Sequence, residues 1–121
     1  MRAFVLMFLL FPALATATVL NCEYSFYGAP AGTVRIDVSE DGTPGPVADV
    51  SLFYTPTQQA PVTIQEKNAG ELFNVVLFKD NPQNEIFMTV NLAENDGSFK
   101  SKIINPKLTG VSKEIPGTCK F

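Results

Sequence analysis

From Val19 onward, apolar and polar residues alternate at period two in a series of separated runs, and none of them carries a helical period. The runs are Val19 to Tyr27, Thr33 to Ser39, Val47 to Thr55, Val62 to Lys67, Glu71 to Lys79, Glu85 to Ala93 and Ser98 to Ile104, followed by an irregular one ending at Phe121. Turn-forming clusters separate them: Glu40, Asp41, Gly42; Asn68, Ala69, Gly70; Asp80, Asn81, Pro82; and Asn95, Asp96, Gly97. Short strands at intervals of about ten to fifteen residues predict an all-β domain, a small antiparallel up-and-down β-barrel or sandwich of about seven or eight strands.

A single register aligns the apolar positions of successive hairpins. Closing the loop after Lys79 so that Phe78 faces Phe87 sets Leu77 opposite Met88, Val75 opposite Val90 and Phe73 opposite Leu92. Closing the next hairpin at Asn95 to Gly97 sets Leu92 against Phe99 and Met88 against Ile103. Val34, Ile36 and Val38 form a second inward row, and Ala48, Val50, Leu52 and Tyr54 a third. The first strand contributes Leu20, Cys22, Tyr24 and Phe26, which places Cys22 in the core.

Cys22 and Cys119 are the only two cysteines and lie near opposite ends of the strand series. Neither belongs to a C-x-x-C pair, so the pair reads as a structural disulfide tying the first strand to the last. Closing a loop of that length stabilises a domain by about 4 to 5 kcal/mol in the chain-entropy account. A disulfide implies an oxidising compartment, and the start of the chain agrees. Met1 and Arg2, the apolar run Ala3 to Phe11, Pro12 and two A-x-A sites ending at Ala15 and Ala17 make a secretory signal peptide over residues 1–17, leaving one β domain over 18–121. The protein is therefore expected to be exported, periplasmic or secreted. No later run is long enough for a membrane helix.

The net charge is −3, and one unit more negative once Arg2 leaves with the leader. Phosphate binding requires a concentrated basic surface, so the charge argues against nucleic acid as a partner. The chain has no histidine, which removes Ser-His-Asp and Cys-His catalysis and His-ligated metals. The cluster Ser98, Lys100, Ser101, Lys102 reads as a strand with its lysines facing water. The acids sit mainly in turns, and those near Asp80, Asn84 and Glu85 or Glu94, Asn95 and Asp96 read as turn formers before calcium ligands. No catalytic residue, metal or cofactor is assigned, and the chain is not expected to be an enzyme.

The same register predicts an apolar row on the outer face. Phe78 and Phe87 would be cross-strand neighbours with Ile104 beyond Phe87, and closing a hairpin at Asn68 to Gly70 brings Pro61 alongside Phe78 and Thr63 beside Val76. Pro61, Val76, Phe78, Phe87 and Ile104 thus form the candidate binding row, either covered by Pro-rich loops or by the segment Asn105 to Pro116, or open to a protein partner or second copy. A further candidate is the pair of proline-stiffened loops Gly42 to Pro46 and Thr55 to Pro61, suited to inhibiting a secreted enzyme. In size, strand count and terminal disulfide the chain resembles small exported lysozyme-inhibitor barrels, but their S-G-x-x-Y type loop motif has no match here and no functional residue is carried over. These features point to a surface binding module. The alternative is a carrier holding a small apolar ligand inside the barrel.

Overall fold

A computed structural model describes residues 18–53, 55–105 and 114–121. The leader at 1–17, the proposed inward position of Tyr54 and residues 106–113 of the segment expected to cover the outer row lie outside the described residues. Eight antiparallel strands close a barrel in chain order: β1 (Thr18–Phe26), β2 (Ala29–Val38), β3 (Pro44–Leu52), β4 (Gln58–Gln65), β5 (Glu71–Leu77), β6 (Ile86–Ala93), β7 (Phe99–Ile104) and β8 (Glu114–Lys120). Closure leaves no sheet edge unpaired, and β1 meets β8 through Cys22 opposite Cys119. The two are disulfide-bonded with their Cα atoms 3.9 Å apart, both fully buried. The fold is thus a barrel rather than a sandwich, with its first and last strands stapled.

The inward rows follow the alternation. Leu20, Cys22 and Tyr24 of β1, Val34, Ile36 and Val38 of β2, and Ala48, Val50 and Leu52 of β3 are all buried in one core. Val75 and Leu77, Met88 and Val90, Ile103, and Ile115 continue it around the barrel. The eighth strand, irregular as sequence, is made regular by its neighbours. Pro116 sits one residue beyond the β1–β8 pairing, where a missing backbone N–H is tolerated. Gly117 leaves room for the ring of Tyr24, because a Cβ on it would stand 2.3 Å from Tyr24 Cδ1.

The register of the β5–β6 hairpin differs from the sequence expectation by two residues, while the β4–β5 pairing and, as far as Val90, the β6–β7 pairing are as expected. Val75 pairs with Met88, Val76 with Phe87 and Leu77 with Ile86, so Phe78 does not face Phe87 and Leu77 does not face Met88. The cause is the loop. Asp80 N–H donates to Glu85 Oε2 across its neck, and Asn81 Oδ1 accepts from the amides of Gln83 and Asn84, closing the turn onto Leu77 and Ile86. A second difference comes from bulges. Register shifts between Glu71 and Phe73 in β5 and between Val90 and Ala93 in β6 pair Glu71 with Asn91 and Ala93 with Phe99, and Leu92 points outward, where it is 53% exposed. Parity survives a two-residue slip but not a one-residue bulge, which is why most inward residues agree and Leu92 does not.

Candidate binding surfaces on a filled barrel

The barrel axis is occupied by the protein's own side chains: Tyr24, Leu20, Ile36, Leu77, Met88, Ile103 and Ile115 are fully buried. Among the described residues the polar link across this interior runs from Tyr24 to Ser101 of β7. Ser101 Oγ donates to Thr89 O at 2.8 Å, so the hydrogen of the 2.7 Å contact between Tyr24 OH and Ser101 Oγ comes from the phenol. Burial pushes the phenol's pKa well above its ordinary value, more than the Ser101 hydrogen bond lowers it, so the ring is held neutral. Ser101 is thus an interior hydrogen-bonding residue, while Lys100 and Lys102 beside it face water, Lys102 pairing with Glu114 at 3.0 Å.

On the outer wall the register brings three of the five predicted row residues together. Val76 pairs with Phe87 and Phe87 with Ile104, with Thr63 on the far side of Val76. Val76 is only 3% exposed although its neighbours Val75 and Leu77 point into the core, whereas Phe87 beside it is 42% exposed. Pro61 is exposed one row further along and pairs with Val47, itself 46% exposed and outside the predicted row. Phe78 leaves the row. It stands just past β5 with φ of 56°, its amide donating to Pro61 O at 3.2 Å, and its half-buried ring packs against the core. Alternation placed it outside because alternation holds only while the backbone stays extended. The outer apolar band is therefore Val47, Pro61, Val76, Phe87 and Ile104.

The two proline-stiffened segments do not form one surface. Pro44 begins β3 and is buried, Pro61 lies within β4, and the β2–β3 and β3–β4 connections project from opposite ends of the barrel. The acidic turns are self-contained. Asp41 accepts hydrogen bonds from Ser39 Oγ and Thr43 N–H, and Asp96 from Ser98 Oγ at 2.6 Å and Ser98 N–H at 3.0 Å. The serine hydroxyls are the leading cause that lowers both carboxyl pKa values. Among the described residues no three Asp, Glu, Cys or His side chains converge as metal ligands.

The two ends of the barrel are built differently. At the end carrying the β2–β3, β4–β5 and β6–β7 turns, the left-handed positions are glycines: Gly42, Gly70 and Gly97. At the opposite end they include Tyr27, Phe53, Phe78 and Asp80, the four non-glycine residues with positive φ among the described residues. A pocket of about 110 Å³ opens there, floored by Val50, Leu52 and Ile86 and walled by Phe53 and Phe78. Among the described residues no helix is long and apolar enough to cross a membrane. No known protein family, no curated protein and no solved structure matches the chain.

Proposed function

We propose that this chain is a small exported, disulfide-stapled β-barrel that acts as a surface binding module for a protein partner, through Val47, Pro61, Phe87 and Ile104 of the outer band, with the buried Val76 beneath them. The buried disulfide is compatible with an oxidising compartment, as the amino-terminal leader pattern requires. The observation that carries the reading is the contrast between the two faces of the wall. The inner face is filled, whereas on the outer face an aromatic ring, Phe87, stands 42% exposed beside Ile104 and over Val76, with Val47 and Pro61 exposed nearby. Adjoining exposed apolar side chains on a sheet face characterise contact surfaces. The carrier alternative has less support, because the interior is occupied by Tyr24, Met88 and the aliphatic residues around them.

The test is association. The mature protein, tagged at its carboxyl end, is used to capture partners from the envelope or secreted fraction of its own organism, in parallel with Phe87→Ser. The expected result is a specific partner captured by the native protein and lost with Phe87→Ser while the melting temperature stays nearly unchanged. Equal capture by both proteins would refute the outer band as the contact.

A further inference from the structure

We propose that the pocket between the β3–β4 and β5–β6 connections is a binding site for a single neutral sugar ring. Its floor is apolar, formed by Val50, Leu52 and Ile86, and two aromatic walls, Phe53 and Phe78, stand over that floor. Its rim is polar and uncharged. Thr55, Gln58, Gln83, Asn84 and the buried Asn105 supply it, and no charged side chain is among the described residues that line the pocket. A carboxamide presents both donors and an acceptor, which is what a hydroxyl requires of its partner, and an aromatic face meets the C–H face of a pyranose. The side chains of Gln58, Gln83 and Asn84 make no hydrogen bond to other described residues, so their capacity is available at the mouth.

The walls are held ready by the backbone. Phe53 N–H donates to Ala31 O at 2.8 Å, and both the amide and the hydroxyl of Thr55 donate to Leu52 O. Opposite, Asn81 N–H donates to Phe78 O at 3.0 Å, while the Asn81 side chain fixes the amides of Gln83 and Asn84. Phe53 and Phe78 both adopt φ of 56°, a conformation that costs a non-glycine residue about 1 kcal/mol or more and that the other end of the barrel assigns to glycine. Keeping aromatic residues at two such positions, both facing one pocket, indicates that their rings are wanted there. The volume of about 110 Å³ lies below the roughly 300 to 1,000 Å³ of sites that engulf drug-sized ligands, which fits one ring lodged at the mouth.

The experiment is saturation-transfer NMR on the mature protein with methyl glucoside, methyl galactoside, N-acetylglucosamine and glucuronate, alongside a glycan array carrying the same residues as terminal sugars. The expected result is millimolar binding of at least one neutral sugar, free or as a glycan terminus, in preference to glucuronate. Gln83→Ala and Asn84→Ala, at exposed positions that leave the fold intact, should each weaken binding by about tenfold. Phe78→Leu should abolish it, with an amide spectrum showing that the barrel is retained. Preference for glucuronate, unchanged affinity in both alanine variants, or no sugar bound in either format would overturn the proposal. Phe87→Ser lies outside this pocket and should bind sugar as the native protein does, so failure here is separable from failure of the outer band.

Discussion

The ring of Tyr24 on β1 lies in the space left by the missing side chain of Gly117 on β8, where a Cβ would come within 2.3 Å of Tyr24 Cδ1 and 2.6 Å of Glu23 O. Because β1 and β8 are the strands that close the barrel, this contact governs whether they can approach as closely as the neighbouring disulfide requires. Gly117→Ala should therefore overpack the seam and destabilise the protein by about 1 to 3 kcal/mol, read from urea unfolding with the disulfide intact. A change within experimental error would mean that the seam has slack and that Tyr24 does not depend on glycine opposite it.

The same phenol makes an alkaline prediction. Its folded pKa is raised above the ordinary 10.0 by burial, so the folded state favours the neutral form. The stability contribution is whole below pH 10 and is lost as pH rises toward the folded value, since only the unfolded chain then releases the proton. Stability should fall above pH 10 more steeply in the native protein than in Tyr24→Phe. At neutral pH that variant should lose about 1 kcal/mol, because Ser101 keeps its bond to Thr89 O. Identical alkaline slopes would contradict a buried, neutral Tyr24.

On the acid side, Asp96 contributes in the opposite sense. Its carboxyl is held below the ordinary 3.8 chiefly by the Ser98 hydroxyl and then by the Ser98 amide, so its contribution is present above pH 3.8 and disappears as pH falls through the lower folded value. Asp41, capped by Ser39 and Thr43, behaves likewise. Asp96→Asn should lower stability in the neutral region while changing it little near pH 2, and so flatten the acid limb of a profile measured between pH 7 and pH 2. A profile with an unchanged acid limb would show that the turn retains no preference for the charged form.

Phe78 and Phe87 should respond differently to the same substitution. Phe78 packs against the core at the barrel's end, so Phe78→Ser should cost about 2 to 4 kcal/mol of stability. Phe87 projects from the outer wall, so Phe87→Ser should cost no more than about 1 kcal/mol. Thermal unfolding of the two variants side by side measures this directly. Equal losses would place both rings in one environment, as the sequence alone had placed them.

Much of the candidate site was legible before the fold was known, and the reason is local. Thr63 beside Val76, Phe87 beside Ile104 and Met88 beside Ile103 follow from period-two alternation and turn position, and all three pairings are present. Alternation in β3 turns Val47 outward, but its place in the band comes from its cross-strand partner Pro61, a contact set by the β3–β4 hairpin. The pocket at the barrel's end was not legible at all. Its walls depend on Phe53 and Phe78 entering the left-handed region, where turns favour glycine and a phenylalanine gives no signal. Tyr27 and Gly28, both with positive φ, likewise close a two-residue turn between Phe26 and Ala29 that ordinarily carries Asn-Gly.

The sequence by itself determined which side chains line the interior of most strands and that Cys22 and Cys119 belong together, because alternation holds wherever a strand stays regular and two cysteines allow one pairing. Only the tertiary structure decided that the sheet closes rather than splitting into two layers, that β8 is a strand despite Pro116 and Gly117, and that bulges turn Leu92 outward while a turn draws Phe78 in. Those outcomes depend on non-local matches, such as the ring of Tyr24 against Gly117, and on backbone conformations in which parity no longer applies.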